Sequence, residues 1–264
     1  SSSLDGGQSF RWHKFENGFH GVINDKPYFI FQKNKKIFVE SEDINSNDMD
    51  TIVSYLSLDF DLKKISKKIK NNLYLNNLFQ KYYGLRILNQ DPWETIVSFI
   101  TSSVSNISKI KKNINDLCLI NGEKIGKNKY DYTFPSPIKI IDFGENNLRK
   151  IGFGFRSPYI IDACKKVAEG NILIDQIYDL NYDDALFQLT SINGVGRKVA
   201  DCILTYGYHR KDVFAVDRWV RRGLVNKLGY SEKLNNEKLS IIARKKYKNE
   251  SSYVQQYIFF GEKS

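Results

Sequence analysis

The chain has 264 residues, is 41% hydrophobic and 14% aromatic, and carries 40 Lys and Arg against 30 Asp and Glu for a net charge of +10. Such a chain can bury one large core or two smaller ones, which excludes a disordered protein, and no apolar run reaches the roughly 18 residues of a membrane span. Its three cysteines are widely spaced with no C-x-x-C pair, which excludes a disulfide framework, a zinc site and a four-cysteine iron–sulfur cluster.

The opening Ser1-Ser2-Ser3-Leu4-Asp5 has no charged n-region or apolar h-region, so no secretory signal is expected and a reducing cytoplasm fits best. The positive excess favours a polyanionic partner, nucleic acid before an acidic membrane surface. Residues 8–40 then read as an antiparallel meander. Phe10 and Trp12 alternate with polar residues, Glu16-Asn17-Gly18 turns, and Phe19 to Ile23 is apolar. Asn24-Asp25-Lys26-Pro27 turns again before Tyr28 to Phe31, and Asn34-Lys35-Lys36 leads into Ile37-Phe38-Val39.

From about Ser46 the periodicity is helical. Short amphipathic segments at 52–56 and 61–69 come first. Asp91-Pro92-Trp93-Glu94 reads as a capping box with proline at the first helical position, starting a helix from Pro92 to near Ser103. Helices are expected over 105–119, 137–143, 157–169, 182–192, 197–206, 218–228, 235–244 and 252–260, with a loop from Gly122 to Pro137. The fold class is α+β and mostly helical: a small N-terminal antiparallel sheet over 1–45, then an all-helical unit over 46–264.

Between two of these helices stands Ile192-Asn193-Gly194-Val195-Gly196. Glycines here let the backbone approach another molecule closely, and the N–H groups opening the next helix suit a DNA phosphate without reading sequence. Gly-x-Gly alone equally describes an ordinary tight turn. Lys198 lies in the first turn after it, where the helix dipole and burial both disfavour the ammonium form and leave an amine nucleophile. Cys202 shares its face four residues on; taken alone, these two are a solvent-facing lysine paired with Asp201 and a core cysteine. Asp217 follows the strand-like Val213-Phe214-Ala215-Val216 as an N-cap, and a fixed, partly dehydrated carboxylate can also stabilise positive charge on a sugar as its base departs. Arg218, Arg221 and Arg222 are a solvated face or phosphate contacts.

Together these residues resemble the helix–hairpin–helix (HhH-GPD) DNA glycosylase superfamily, with its Gly-Val-Gly-x-Lys hairpin and downstream Val-Asp. The similarity extends to bacterial-type 8-oxoguanine DNA glycosylases through Gly6-Gly7-Gln8-Ser9-Phe10-Arg11-Trp12, Gln90-Asp91-Pro92, Phe99-Ile100-Thr101-Ser102-Ser103, Gly152-Phe153-Gly154-Phe155-Arg156 and Lys198-Val199-Ala200-Asp201-Cys202, in that order. It covers nearly the whole chain. The resemblance implies a two-lobed helical core with the hairpin at about 182–207 and an active-site cleft between the lobes.

It further implies a bifunctional glycosylase/AP lyase that flips out and excises 8-oxoguanine and nicks the abasic strand through a Schiff base and β-elimination. Lys198 would attack C1′ and Asp217 would stabilise the transition state. The Gly7 carbonyl would accept the N7–H that guanine lacks, Cys202 and Phe259 would sandwich the base, and Gln255 would read its Watson–Crick edge. Gly194 and Gly196 would meet phosphate. Carbonyls of Thr190, Ile192 and Val195 match positions that hold a structural monovalent cation, and no cofactor is required for chemistry. The partner would be double-stranded DNA containing 8-oxoguanine, bound by a monomer in a bacterial cytoplasm at the nucleoid, with no membrane contact. The alternatives are a hairpin glycosylase for another oxidised base and a non-catalytic DNA-binding module.

Several positions depart from animal members of the family. Val104 stands where Asn is common, Lys109 where Arg is, Phe155 where Tyr is, and Trp219 where His often contacts a phosphate; Arg156 is retained. Val104 cannot hydrogen-bond an orphaned cytosine, and Lys109 lacks the bidentate guanidinium fork. His13, His20 and His209 match no catalytic position and read as structural or exposed. A weak preference for cytosine opposite the lesion follows, to be checked by comparing excision opposite C and opposite A; a strong cytosine preference contradicts it.

Overall fold

The computed structural model describes residues 2–34 and 36–263. Ser1 of the expected signal-free start and Lys35 in the expected third turn lie outside the described residues. Four strands, β1 (His13–Phe15), β2 (Gly18–Ile23), β3 (Lys26–Lys33) and β4 (Lys36–Glu40), form one antiparallel sheet in chain order. The hairpins are tight. Ile23 pairs with Lys26, so only Asn24 and Asp25 turn, both with positive φ, as a two-residue hairpin matched to strand twist requires. Lys26 and Pro27 are therefore strand residues. Pro27 pairs with Val22 on one side, and β4 pairs β3 only from Phe29 onward, so the missing N–H breaks no ladder.

The first strand begins later than Phe10. Gln8 to Trp12 are buried without interruption, so alternation of residue type does not there mark a half-buried strand. Gln8 donates to the Arg86 carbonyl at 2.8 Å and accepts from Leu88 N at 3.0 Å, while its own carbonyl accepts from Gln90 Nε2 at 2.9 Å. Trp12 Nε1 donates to Tyr55 Oη at 2.8 Å. The sheet's inner face, with Trp12, Tyr28 and Ile30, packs on Ile52 and Tyr55 of α1 (Ser46–Tyr55).

Twelve more α-helices follow among the described residues: α2 (Lys63–Ile69), α3 (Leu73–Lys81), α4 (Pro92–Thr101), α5 (Ile107–Asn121), α6 (Pro137–Phe143), α7 (Glu145–Lys150), α8 (Ser157–Ala168), α9 (Tyr182–Thr190), α10 (Arg197–Tyr206), α11 (Arg218–Leu228), α12 (Asn236–Tyr247) and α13 (Ser251–Lys263). Asp91 caps α4 by accepting from Glu94 N at 2.7 Å. The expected capping box is half made, because the Glu94 side chain turns to Arg11 Nη1 at 3.0 Å instead of the cap. Arg11 also donates to the Tyr132 carbonyl, and burial pushes the Glu94 pKa up despite that guanidinium. α3 was not expected from its pattern; its interior Asn76 and Asn77 are poor helix formers, and Leu75, Leu78 and Phe79 hold it by burial.

α10 packs on α4 and α9, while α11 packs on α13 and α13 on α3. One large core runs through these helices, with Ile96, Ile203, Leu204, Val220 and Ile258 fully buried. No helix among the described residues is long and apolar enough to cross a membrane. Gln8→Ala leaves the Arg86 carbonyl and Leu88 N–H without their partner, so the expected cost is about 2–4 kcal/mol, read from the urea unfolding midpoint at unchanged slope.

Candidate active site

The hairpin is pinned from one side. Gly194 has φ of +77°, and a Cβ there would lie 2.3 Å from the Tyr159 ring, so both its conformation and its neighbour require glycine. Asn193 N donates to Asp162 Oδ2 at 2.8 Å, and Lys166 bridges Asp162 and the Ser191 carbonyl. α8 thus fixes the turn that starts α10. Gly196 is the N-cap of α10 and differs in kind: its φ is −88° and a Cβ would meet nothing within 4 Å. Neither backbone nor packing inside the protein asks for glycine there.

Helical spacing then puts Lys198 and Cys202 on one face and turns Asp201 to the other. Asp201 is buried and accepts from Tyr182 Oη at 2.7 Å; burial pushes its pKa up to about 7. It is not the surface partner of Lys198. Lys198 Nζ lies 5.9 Å from the Phe99 ring centroid. Burial pushes the Cys202 thiol up to about 11, against the lowering effect of Lys198 and with Asp217 raising it further. Cys202 is therefore a neutral thiol that packs, and Lys198 is the nucleophile candidate of the pair.

Val213–Val216 is buried but forms no strand among the described residues. It delivers Asp217 to the start of α11, where Oδ1 accepts from Trp219 N at 2.9 Å and Val220 N at 2.8 Å. Both bonds fall on one oxygen, so the cap leaves the other unused. Arg218 and Arg222 flank the Trp219 ring at 4.5 and 4.7 Å. Arg222 is also tied to Glu262 but stays exposed like Arg218, whereas Arg221 is half-buried and tied to the carbonyls of Glu232 and Leu234.

A cleft of about 1060 Å³ gathers Lys198, Asp217, Gly7, Cys202, Gln255, Phe259, Val104, Lys109 and Trp219. Gly7 has φ of +90° and lies against Ile107. The apolar floor is Phe10, Phe99 and Tyr206, with Tyr206 stacked on Phe99 at 5.3 Å. Sequence reasoning missed this floor, because nothing in a buried aromatic shows which cavity it faces. It also missed Ser102, Ser105 and Lys263 on the walls; Lys263 continues the spacing of Gln255 and Phe259 by one more interval of four.

The other expected residues lie outside the cleft. Phe155 is exposed, with Arg156 Cζ 4.4 Å from its ring. Arg156 is buried and donates to the carbonyls of Ser103 and Val104. It holds up the loop whose tip is Val104, 91% exposed with φ of +50°, a strained conformation for a β-branched residue. Thr190, Ile192 and Val195 sit on the hairpin, where the Ile192 carbonyl accepts from Val195 N at 3.0 Å. None of the histidines lines the cleft: His20 pairs with Asp131 at 2.5 Å, His13 stacks on Tyr130, and His209 bonds Ser57 at 2.8 Å.

Residues 97–249, more than half of the chain, match the family model described as HhH-GPD superfamily base excision DNA repair protein. The chain belongs to this superfamily. Residues 1–96 match the model described as the 8-oxoguanine DNA glycosylase N-terminal domain. The N-glycosylase/DNA lyase of Saccharomyces cerevisiae is 30% identical over 97% of this chain and 77% of its own length. A Methanothermobacter thermautotrophicus protein described as a probable N-glycosylase/DNA lyase is 34% identical over 67% of this chain, and the match spans 62% of that relative. The solved 8-oxoguanine glycosylase/lyase of Clostridium acetobutylicum, in complex with double-stranded DNA carrying cytosine opposite 8-oxoguanine, has a TM-score of 0.93 at 28% identity, covering 99% of this chain and 91% of that one.

The observed capping role of Asp217 and its expected catalytic role can be separated by substitution. Asn caps helices about as well as Asp, so Asp217→Asn should leave the thermal midpoint nearly unchanged. Loss of the charge should slow base excision by about 10²–10³-fold, measured in single-turnover assays; an active Asp217→Asn enzyme would confine Asp217 to capping.

Proposed function

We propose that this chain excises 8-oxoguanine from duplex DNA and nicks the resulting abasic strand. The observation that carries the reading is the convergence of Lys198 and Asp217 in one cleft with Gly7, Cys202, Gln255 and Phe259, residues drawn from the start, middle and end of the sequence. The flipped base would lie between Cys202 and Phe259, with Gln255 on its Watson–Crick edge and the Gly7 carbonyl accepting N7–H. Guanine presents an acceptor at N7, so its binding would leave that carbonyl facing a lone pair.

Lys198 Nζ bonds to C1′ as the glycosidic bond breaks and its electron pair leaves with the base. Asp217 stabilises the positive charge on the sugar. Proton loss and ring opening give a Schiff base, and removal of a C2′ proton then expels the 3′ phosphate. The hairpin would take a backbone phosphate against Gly196, where the protein leaves the space over the α-carbon open. Val104, Lys109, Phe155 and Trp219 would face the duplex, and Arg156 would act on it by holding the Val104 loop. The carbonyls of Thr190, Ile192 and Val195 would hold a monovalent cation that stiffens the hairpin. The Ile192 carbonyl fits this only through its second lone pair, since the first is engaged.

Borohydride reduction in the presence of 8-oxoguanine duplex should trap wild-type protein on DNA, while Lys198→Gln should give no adduct and still bind. Binding should weaken steeply with salt, as phosphate neutralisation dictates. Wild-type protein that binds but is never trapped would leave only a DNA-binding module.

A further inference from the structure

α13 carries three cleft residues at intervals of four, Gln255, Phe259 and Lys263, which places them on one helix face. The first two have roles in the proposed recognition of the base. The third has none. Its Nζ stands 5.1 Å from the Phe259 ring centroid, and a Cβ built on Gly7 would lie 4.0 Å from it. The ammonium is thus beside the glycine whose carbonyl is proposed to meet N7–H, over the ring proposed to stack on the base.

That ammonium makes no ion pair among the described residues. Asp5 is taken by Lys111 at 2.5 Å, and Glu262 by Arg222 at 2.6 Å and Tyr74 at 2.8 Å. Asp217 adds a favourable field, yet desolvation outweighs it and lowers the Lys263 pKa. Lys263 is exposed on the cleft wall, and a cation there without an ion-pair partner stabilises whatever negative charge appears in front of it.

Resting on the function proposed above, we infer that Lys263 contacts the departing base and neutralises the negative charge it carries away. When Lys198 bonds to C1′ and the C1′–N9 bond breaks, its electron pair leaves with the purine. The charge spreads onto the carbonyl oxygens that flank N7, and the free base takes up a proton from solvent afterwards. Those oxygens lie on the edge read by Gly7, which is where Lys263 stands. The charge is absent from the bound substrate and grows only as the bond breaks, so the contact lowers the barrier without tightening binding. A lysine that merely held a phosphate would act on affinity instead.

Two reactions of one protein separate these roles. Excision of 8-oxoguanine has a leaving base, whereas nicking of a preformed abasic site has none, although both need Lys198. Lys263→Met should slow single-turnover excision by about 10²-fold while abasic-site nicking and duplex Kd stay near wild type; the intact nicking also reports an intact fold. Lys263→Arg, which keeps the charge, should recover most of the excision rate. Equal losses in both reactions, a loss confined to Kd, or an unchanged excision rate each overturn the assignment. Wild-type protein that nicks abasic sites but leaves 8-oxoguanine in place overturns the underlying function as well, whereas wild-type excision matched by Lys263→Met overturns only the role of Lys263.

Discussion

The cleft depends on a tether near the start of the chain. Gly7 and Phe10 can form part of a wall only if residues 7–10 are held against helices far away in sequence, and the buried side chain and carbonyl of Gln8 do this through the 86–90 segment. Arg11 adds a second tie to Glu94 on α4. On the proposed reading, a loosely docked N-terminal segment would leave the Gly7 carbonyl unable to test for a single proton on a base. One-proton discrimination requires that the acceptor not retreat, and a network of bonds to backbone groups is the stiffest way to ensure it.

The opposite wall obeys a similar rule. Tyr159 and Asp162 fix the hairpin, the hairpin fixes the first turn of α10, and the first turn fixes Lys198. Asp217 is fixed by the amides it caps. Neither of the proposed reactive groups depends on a flexible loop for its position. What does sit on a loop is Val104, and there Arg156 supplies rigidity by binding the carbonyls beneath it. Strain at an exposed valine and a buried arginine under it are two parts of one device for presenting an apolar tip.

Much of this was legible in the sequence because the informative residues are those whose chemistry and spacing are unusual. The Asn24-Asp25 turn, the Asp91 cap and the Gly194-Val195-Gly196 turn all declare themselves by local rules, and they mark out the sheet and the helices correctly. Gly7, Gln255 and Phe259 were legible only through family resemblance, since nothing local says that residues at opposite ends of the chain share a cleft. The aromatic floor was not legible at all: Phe10, Phe99 and Tyr206 look like core residues, and the ring contacts they make are indeed with one another. Local rules failed where tertiary contacts took over a residue's polar group. Glu94 reads as the second half of a capping box until Arg11 is seen beside it.

Gly196 carries a lesson about reading variants. The protein itself offers a side chain at this position no obstacle and no strain. A screen that scores variants by expression level or melting temperature would file Gly196 among the tolerant surface positions and move on. If a phosphate lies there as proposed, the intolerance is invisible until a polyanion meets the helix start, so the position can lose that contact while the molecule looks intact.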